Sequence, residues 1–422
     1  MDVFHVRTHQ EMLAEQLAGN SCALAIELDG PVDLPRLARR LDRAAALLPE
    51  LRWRLGRDVR LRHVWRCSAG IATRLGVRPL ADDGAPVHGA ISLLEEPISG
   101  AQPWRVEVLR GRERDVVVLC WFHPFTDARG GLRLLRWLGS DVDDARLEVA
   151  PAEELFEVAS GRLAGQSPLE RLRLMRAYFR HIVALAEQPI VSLHGVSGGA
   201  APGRLGVVRL KLTEAQTRAF DQSLRRRAMM GETSVMQVVA GRLVGRLLAV
   251  RGHAAPLQLV PVPVSLDAKR GCRRMFGNNL SMMMLALHAD ELTDEATAVA
   301  SLARQRREIV RAKLEVGMLA ALDYAGYLPA SIYNWAARRP LGGERCSFVL
   351  SNPGSLRIAD FLGRTVVDAF SAPTTLASPG LQIAADRFRG CLNIVLVFRL
   401  GLVSDREMRA ELPRIERDLL GR

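Results

Sequence analysis

The sequence has few aromatic residues, 5% of 422, and almost no lysine. Of 58 basic residues only Lys211, Lys269 and Lys313 are lysines, and the rest are arginines. That bias reflects GC-rich coding more simply than a partner, and the arginines are spread through most helical segments. Without basic clusters interleaved with aromatics, the stacking platforms of nucleic-acid proteins have no counterpart, so no nucleic-acid partner is expected. The six cysteines (Cys22, Cys67, Cys120, Cys272, Cys346, Cys391) lie far apart with no CxxC pair. This excludes a disulfide scaffold and a zinc ribbon, and suits reduced thiols in the cytoplasm. No histidine pair has HxH or HExxH spacing. His5 and His9 are four apart but lack a third ligand nearby, so no metal site is expected. No run of eighteen apolar residues appears, and the start MDVFHVRTHQEMLAEQ lacks the apolar core of a signal peptide. Walker A and Rossmann glycine patterns are missing too, so no bound cofactor is implied.

What remains is ordinary for a folded protein: 48% hydrophobic, 25% charged, and long enough for two to three compact units. A net charge of +12 would attract anionic partners such as CoA, an acidic carrier protein or anionic lipid.

Short apolar runs alternate with helix-period runs, which is an α/β pattern. CALAIEL (22–28) reads as a strand and residues 32–48 as an amphipathic helix. Residues 104–111 and 114–122 read as a hairpin, 131–139 and 167–188 as helices. The stretch 189–205 is rich in Gly, Pro and Ser and reads as a linker. It divides the chain into an N-terminal lobe (1–188) and a C-terminal lobe (206–422). In the second lobe GVVRLKL, LQLVPVPVSL, NNLSMMMLAL, RCSFVLSN and CLNIVLVFRL read as strands. Thr213 with Gln216, Ser234 with Gln237 and Ser404 with Glu407 have capping-box spacing. Met282, Met283 and Met284 suit a core or a tunnel wall.

The stretch with most chemical content runs from Val116 to Leu132. A buried strand ends in Phe122-His123, a turn comes next through Pro124, Asp127 stands four residues after the histidine, and a Gly-led helix begins. Histidine titrates near neutrality and suits general-base work, with a carboxylate nearby to fix its tautomer or anchor its loop. A structural histidine beside an N-capping Asp127 fits the same spacing. Gly195 to Gly199 spells GxSxG, but the Gly/Pro-rich residues after Ser197 cannot form the helix that a nucleophile elbow needs.

Phe122-His123-x-x-x-Asp127-Ala128-x-x-Gly131 resembles the HHxxxDG motif of the chloramphenicol-acetyltransferase-like superfamily. That group includes condensation domains, polyketide-associated acyltransferases, wax-ester/diacylglycerol acyltransferases and the BAHD enzymes. Further likenesses fall in family order: Leu48 to Leu55, Val262 to Leu266 with Gly277 to Ser281, Ser351 to Gly354, and Gly390 to Ile394. The resemblance implies two α/β sandwich lobes with the active site in a tunnel between them. It implies an acyltransferase in which His123, as base, lets a hydroxyl or amine acceptor attack a thioester of CoA or a carrier protein. Asp127 would pair with Arg52, and Ser351, Asn352 or Asn278 would hold substrate or the oxyanion. Lys269, Arg270, Arg273 and Arg274, dense in an expected loop, would meet the donor's phosphates. A monomer is expected, and the charge admits peripheral contact with a membrane. Two departures stand out: Phe122 replaces the first histidine and Ala128 the glycine. They keep a second reading open, a degenerate member that binds a carrier protein or small ligand without turnover.

Overall fold

The computed structural model describes residues 3–4, 21–59, 63–68, 75–80, 85–96, 98–140, 163, 165–186, 189–197, 203–226, 231–265, 275–277, 280–373, 376 and 378–421. Among these the first half contributes seven strands: β1 (Val3–Phe4), β2 (Ser21–Leu28), β3 (Trp53–Arg57), β4 (His63–Cys67), β5 (Leu75–Pro79), β6 (Trp104–Arg110) and β7 (Asp115–Phe122). The second half adds β8 (Leu205–Lys211), β9 (Leu257–Ser265), β10 (Leu280–His288), β11 (Val349–Ser355), β12 (Asp360–Phe361), β13 (Arg364–Pro373), β14 (Leu381–Phe388) and β15 (Cys391–Arg399).

The main sheet of the first lobe has the order β12-β13-β2-β7-β6-β5. Every residue of β7 is buried, because its β-branched run Val116-Val117-Val118 lies between two covered faces. Each such aliphatic side chain contributes about 1.5–3 kcal/mol of burial, which makes β7 a rigid base for the turn at its C-terminal end. The helix Ala128–Gly139 packs against β2 and β7, and the helix Pro86–Leu94 touches both β2 and β8, bridging the two lobes. The sheet of the second lobe runs β11-β14-β15-β8, with β9 and β10 forming a separate antiparallel pair.

The division at the linker is not a clean cut. Strand β13, far along the expected second lobe, pairs antiparallel with β2 from Cys22↔Pro373 to Leu28↔Val366. Where β13 lies against the second sheet, a polar network joins the lobes. Arg209 grips Asp368 through Nη1 and Nη2 at 2.7 and 2.9 Å and also reaches Asn393 at 2.8 Å. Buried Asp386 accepts from the Ser371 amide at 2.7 Å and from Asn393, and burial pushes its carboxyl up to about 6.

Helix starts obey the capping chemistry in two of the three expected places. Thr213 and Gln216 exchange hydrogen bonds reciprocally, as do Ser404 and Glu407. Ser234 and Gln237 do not. The helix Glu232–Val250 begins earlier, after Gly231, and both side chains instead accept from Arg306 at 3.0 and 2.6 Å. Contrary to the expectation from sequence, this helix has the length and composition of a bilayer span. Two-thirds of it is buried inside the protein, where its apolar surface forms the core of the second lobe.

Candidate active site

The end of β7 leads straight into the motif. Phe122 points into an aromatic cluster: Trp65 meets Phe122 and Phe125 edge-on at 6.4 and 6.2 Å, and Trp53 stacks on Trp65 at 5.8 Å. Phe276 completes the cluster 5.3 Å from Phe125. The phenyl ring at the position of the motif's first histidine is therefore core, and a second imidazole there would need a buried polar partner.

His123 comes next, part-buried, on a loop held at both ends. Behind it, the Phe125 amide donates to the Phe122 carbonyl at 2.8 Å. Across it, the second half of the chain is fastened on. The Gly277 amide donates to the Phe125 carbonyl at 2.7 Å, Thr126 and Gly277 form a parallel bridge, and Thr126 Oγ1 donates to the Met275 carbonyl at 2.6 Å. Burial lowers the His123 pKa to about 4. The imidazole is thus neutral at neutral pH, the state a general base requires.

Asp127 is the N-cap of the helix Ala128–Gly139, its Oδ1 accepting from the Gly130 amide at 2.8 Å. Ala128 is the first helical residue and its φ is not positive, so alanine in place of glycine causes no strain. Gly130 is the glycine the geometry does require. A Cβ there would lie 2.1 Å from Thr126 Oγ1 and 2.3 Å from the Met275 carbonyl oxygen.

The expected Arg52–Asp127 ion pair does not form. Arg52 ends the 3₁₀ turn Pro49–Arg52, its carbonyl accepts from the Ser68 amide at 3.0 Å, and its Nε is buried without a partner. Asp127 answers the open amides of the helix N-terminus, a local demand of the chain.

Of the substrate-holding candidates, Asn352 is already engaged. Its Nδ2 donates to Glu232 Oε1 and Thr233 Oγ1, both at 3.3 Å, and its Oδ1 accepts from the Gly354 amide at 3.1 Å. That ties β11 to the N-terminus of the helix Glu232–Val250. Ser351, half-buried beside Ala384, makes no side-chain hydrogen bond to a described residue. Asn278 and the cluster Lys269, Arg270, Arg273 and Arg274 lie outside the described residues, between Ser265 and Leu280.

The GxSxG match is turn chemistry. Ser197 Oγ donates to the His194 carbonyl at 2.6 Å within a 3₁₀ turn. Among the described residues no group of three or more His, Cys, Asp or Glu converges as a metal site. An open cleft of about 750 Å³ at the far end of the helix Ala128–Gly139 is lined by Arg136, Arg357, Arg387 and Arg389. Among the described residues, only Arg387 of these four is held by acids, Asp221 and Glu232.

Sequence reasoning missed Thr126, Gly130 and Phe276, which build the join at the His123 loop. The Gly130-Gly131 pair was a visible signal, since adjacent glycines opening a helix mark a close approach.

Comparison with known proteins bears on this geometry. Residues 276–411 match the model of the WS/DGAT C-terminal domain family, a segment that opens at Phe276, which packs against Phe125 of the His123 loop. No curated protein matches the chain by sequence. The first condensation domain of the CDA synthetase is 16% identical with a TM-score of 0.69, covering 99% of this chain and 95% of that one. The trichothecene 15-O-acetyltransferase of Fusarium sporotrichioides is 13% identical with a TM-score of 0.73, again covering 99% and 95%. The epimerization domain from the third module of tyrocidine synthetase B is 12% identical with a TM-score of 0.64, covering 100% and 96%. At these identities the likeness is one of fold, and the fold is the two-lobed one these proteins share.

Proposed function

We propose that this chain, which has the two-lobed fold and matches the WS/DGAT C-terminal domain over residues 276–411, is a chloramphenicol-acetyltransferase-like enzyme that transfers an acyl group from a thioester to a hydroxyl or amine. The observation that carries this reading is the position of His123. A neutral imidazole sits at the end of the most buried strand, on a loop sewn to the second half of the chain by Thr126, Gly277 and Met275. A base there is rigid from behind and stands on a loop bound to Met275 and Gly277 of the other half, a place for two substrates to meet.

In the proposed reaction His123 takes the proton from the acceptor as its oxygen or nitrogen attacks the thioester carbonyl. The tetrahedral intermediate collapses, the C–S bond breaks, and the proton goes to the leaving thiolate. No covalent enzyme intermediate is needed. Asp127 acts as a positioning residue that fixes the loop through the helix N-terminus. Ser351 is the side chain still available to donate toward the oxyanion, since Asn352 is engaged elsewhere. The cluster Lys269 to Arg274 is assigned to the donor's phosphates, of CoA or of a phosphopantetheine arm. Its support is sequence adjacency: Arg274 directly precedes Met275, whose carbonyl is bound to Thr126.

Release of free thiol from a panel of acyl-CoA donors with small alcohols and amines tests the reading. Thiol release that needs an acceptor and is lost in His123→Ala is the expected result. Tight binding of the same thioesters with no release would make the chain a binding protein instead.

A further inference from the structure

We infer that the helix Ala330–Arg338, the turn before it and the outer face of the helix Pro168–Leu185 form a docking surface for an anionic lipid membrane. The inference goes beyond acyl transfer and does not depend on it.

Aromatic placement points there first. The chain has six tryptophans and four tyrosines. Trp53, Trp65, Trp104, Trp121 and Trp137 are at most 3% exposed, whereas Trp335 is 60% exposed. All four tyrosines, Tyr178, Tyr324, Tyr327 and Tyr333, belong to this one region. Tyr and Trp, with an apolar body and a polar tip, suit the boundary between headgroups and acyl chains.

The apolar side chains beside them have no core to explain them. The helix Ala330–Arg338 buries none of its residues, and Ile332 is exposed next to Trp335. On the neighbouring helix Phe179 and Val183 are exposed as well. The two parts form one platform. Leu341, just after the short helix, packs with Ile182 and Tyr178, and Gly317 lets the preceding helix lie against the Leu174 carbonyl.

Charge selects the occupant. From Tyr324 to Gly343 there is no Asp or Glu, while Arg338 and Arg339 lie there, the latter 5.2 Å over the Trp335 ring. Arg173, Arg176 and Arg180 line the exposed side of the helix Pro168–Leu185, whose only acid is Glu170 in its first turn. A second copy of this face would set arginine against arginine. An anionic headgroup layer meets the same arginines with opposite charge while the aromatic rings enter the acyl boundary.

The full chain should co-sediment with vesicles of equal phosphatidylglycerol and phosphatidylcholine at least about tenfold better than with phosphatidylcholine alone, and less well as salt rises. Tryptophan emission should shift to the blue on binding, and Trp335→Phe should abolish the shift because the other five rings are already buried. Ile332→Ser with Trp335→Ser should weaken binding about tenfold or more at unchanged thermal midpoint, since both side chains are exposed. Arg176→Gln with Arg180→Gln should weaken it about fivefold per charge and reduce the salt dependence. No binding, equal binding to both vesicle types, or binding with unchanged emission overturns the inference. So does a solution dimer that the same serine variants dissociate.

Discussion

At the end of β7 the chain turns at His123 and is at once fastened across the molecule, through Thr126 to Met275 and through Phe125 to Gly277. Midway along β11 the strand bulges between Ser351 and Gly354, and Asn352 at that bulge is fastened within its own lobe, to Glu232, Thr233 and Gly354. The end of β7 and the bulge of β11 each carry a motif, yet of these two only the first is hydrogen-bonded to the other half of the chain. The second shows that an amide in a motif position can also be engaged by a helix terminus. A shared motif states which residue stands at a turn. Which neighbour claims its hydrogen bonds depends on what folds against it.

The sharpest way to test this contrast is to remove one side chain from each site. His123→Ala is expected to lower kcat by about two to four decades with the thermal midpoint near that of the parent. Near-parental turnover in a folded variant would take the base away from His123. The activity of the parent should be flat across neutral pH and fall only as pH approaches the His123 pKa of about 4. Stability responds to the same shift. The imidazole binds its proton more weakly folded than unfolded, so stability stays full above the ordinary pKa of 6.5 and falls as pH drops from 6.5 toward 4. A pH titration of thermal unfolding, compared with that of the His123→Ala variant, isolates this contribution.

Gly130→Ala should come next in size. Its Cβ collides with Thr126 Oγ1 and the Met275 carbonyl, so the second half must move off the loop. About 2–3 kcal/mol of stability and at least tenfold in kcat should be lost together, as measured by chemical unfolding and turnover. A stable variant with normal kcat would show that the cross-chain fastening does not position the base.

Asn352→Ala is the counterpart at the β11 bulge. It should cost about 1–2 kcal/mol through lost hydrogen bonds but change kcat less than about threefold. A large fall in kcat would return Asn352 to the oxyanion role. Smallest of all is the coupling between Arg52→Ala and Asp127→Asn. With no ion pair between them, a double-mutant cycle on unfolding should give additive effects within about 0.5 kcal/mol.

Much of the fold was legible in the residue order. Strands β2, β6, β7, β8, β9, β10 and β15 announce themselves as β-branched or apolar runs, and the hairpin of β6 and β7 rests on one polar break. The helix after Asp127 and the capping boxes at Thr213 and Ser404 depend on contacts three residues apart, which a linear reading can see. The transfer of β13 into the first lobe was not legible, because pairing with β2 spans more than three hundred residues. Nor was the fate of Arg52, since a local turn and a distant carboxylate make equal claims on paper. Ser234 and Gln237 fit a capping box, but Arg306 from another helix reached them first.

By itself, then, the sequence determined the α/β alternation, a histidine at a strand end and its carboxylate four residues on, all set by steric period and local hydrogen bonding. Tertiary structure alone decided that Phe122 is core, that Ala128 is harmless and that Gly130 is indispensable. It also decided that Asn352 ties β11 to a helix N-terminus. Each of these depends on which distant atoms approach within hydrogen-bond or van der Waals range, and chain order does not encode that distance locally.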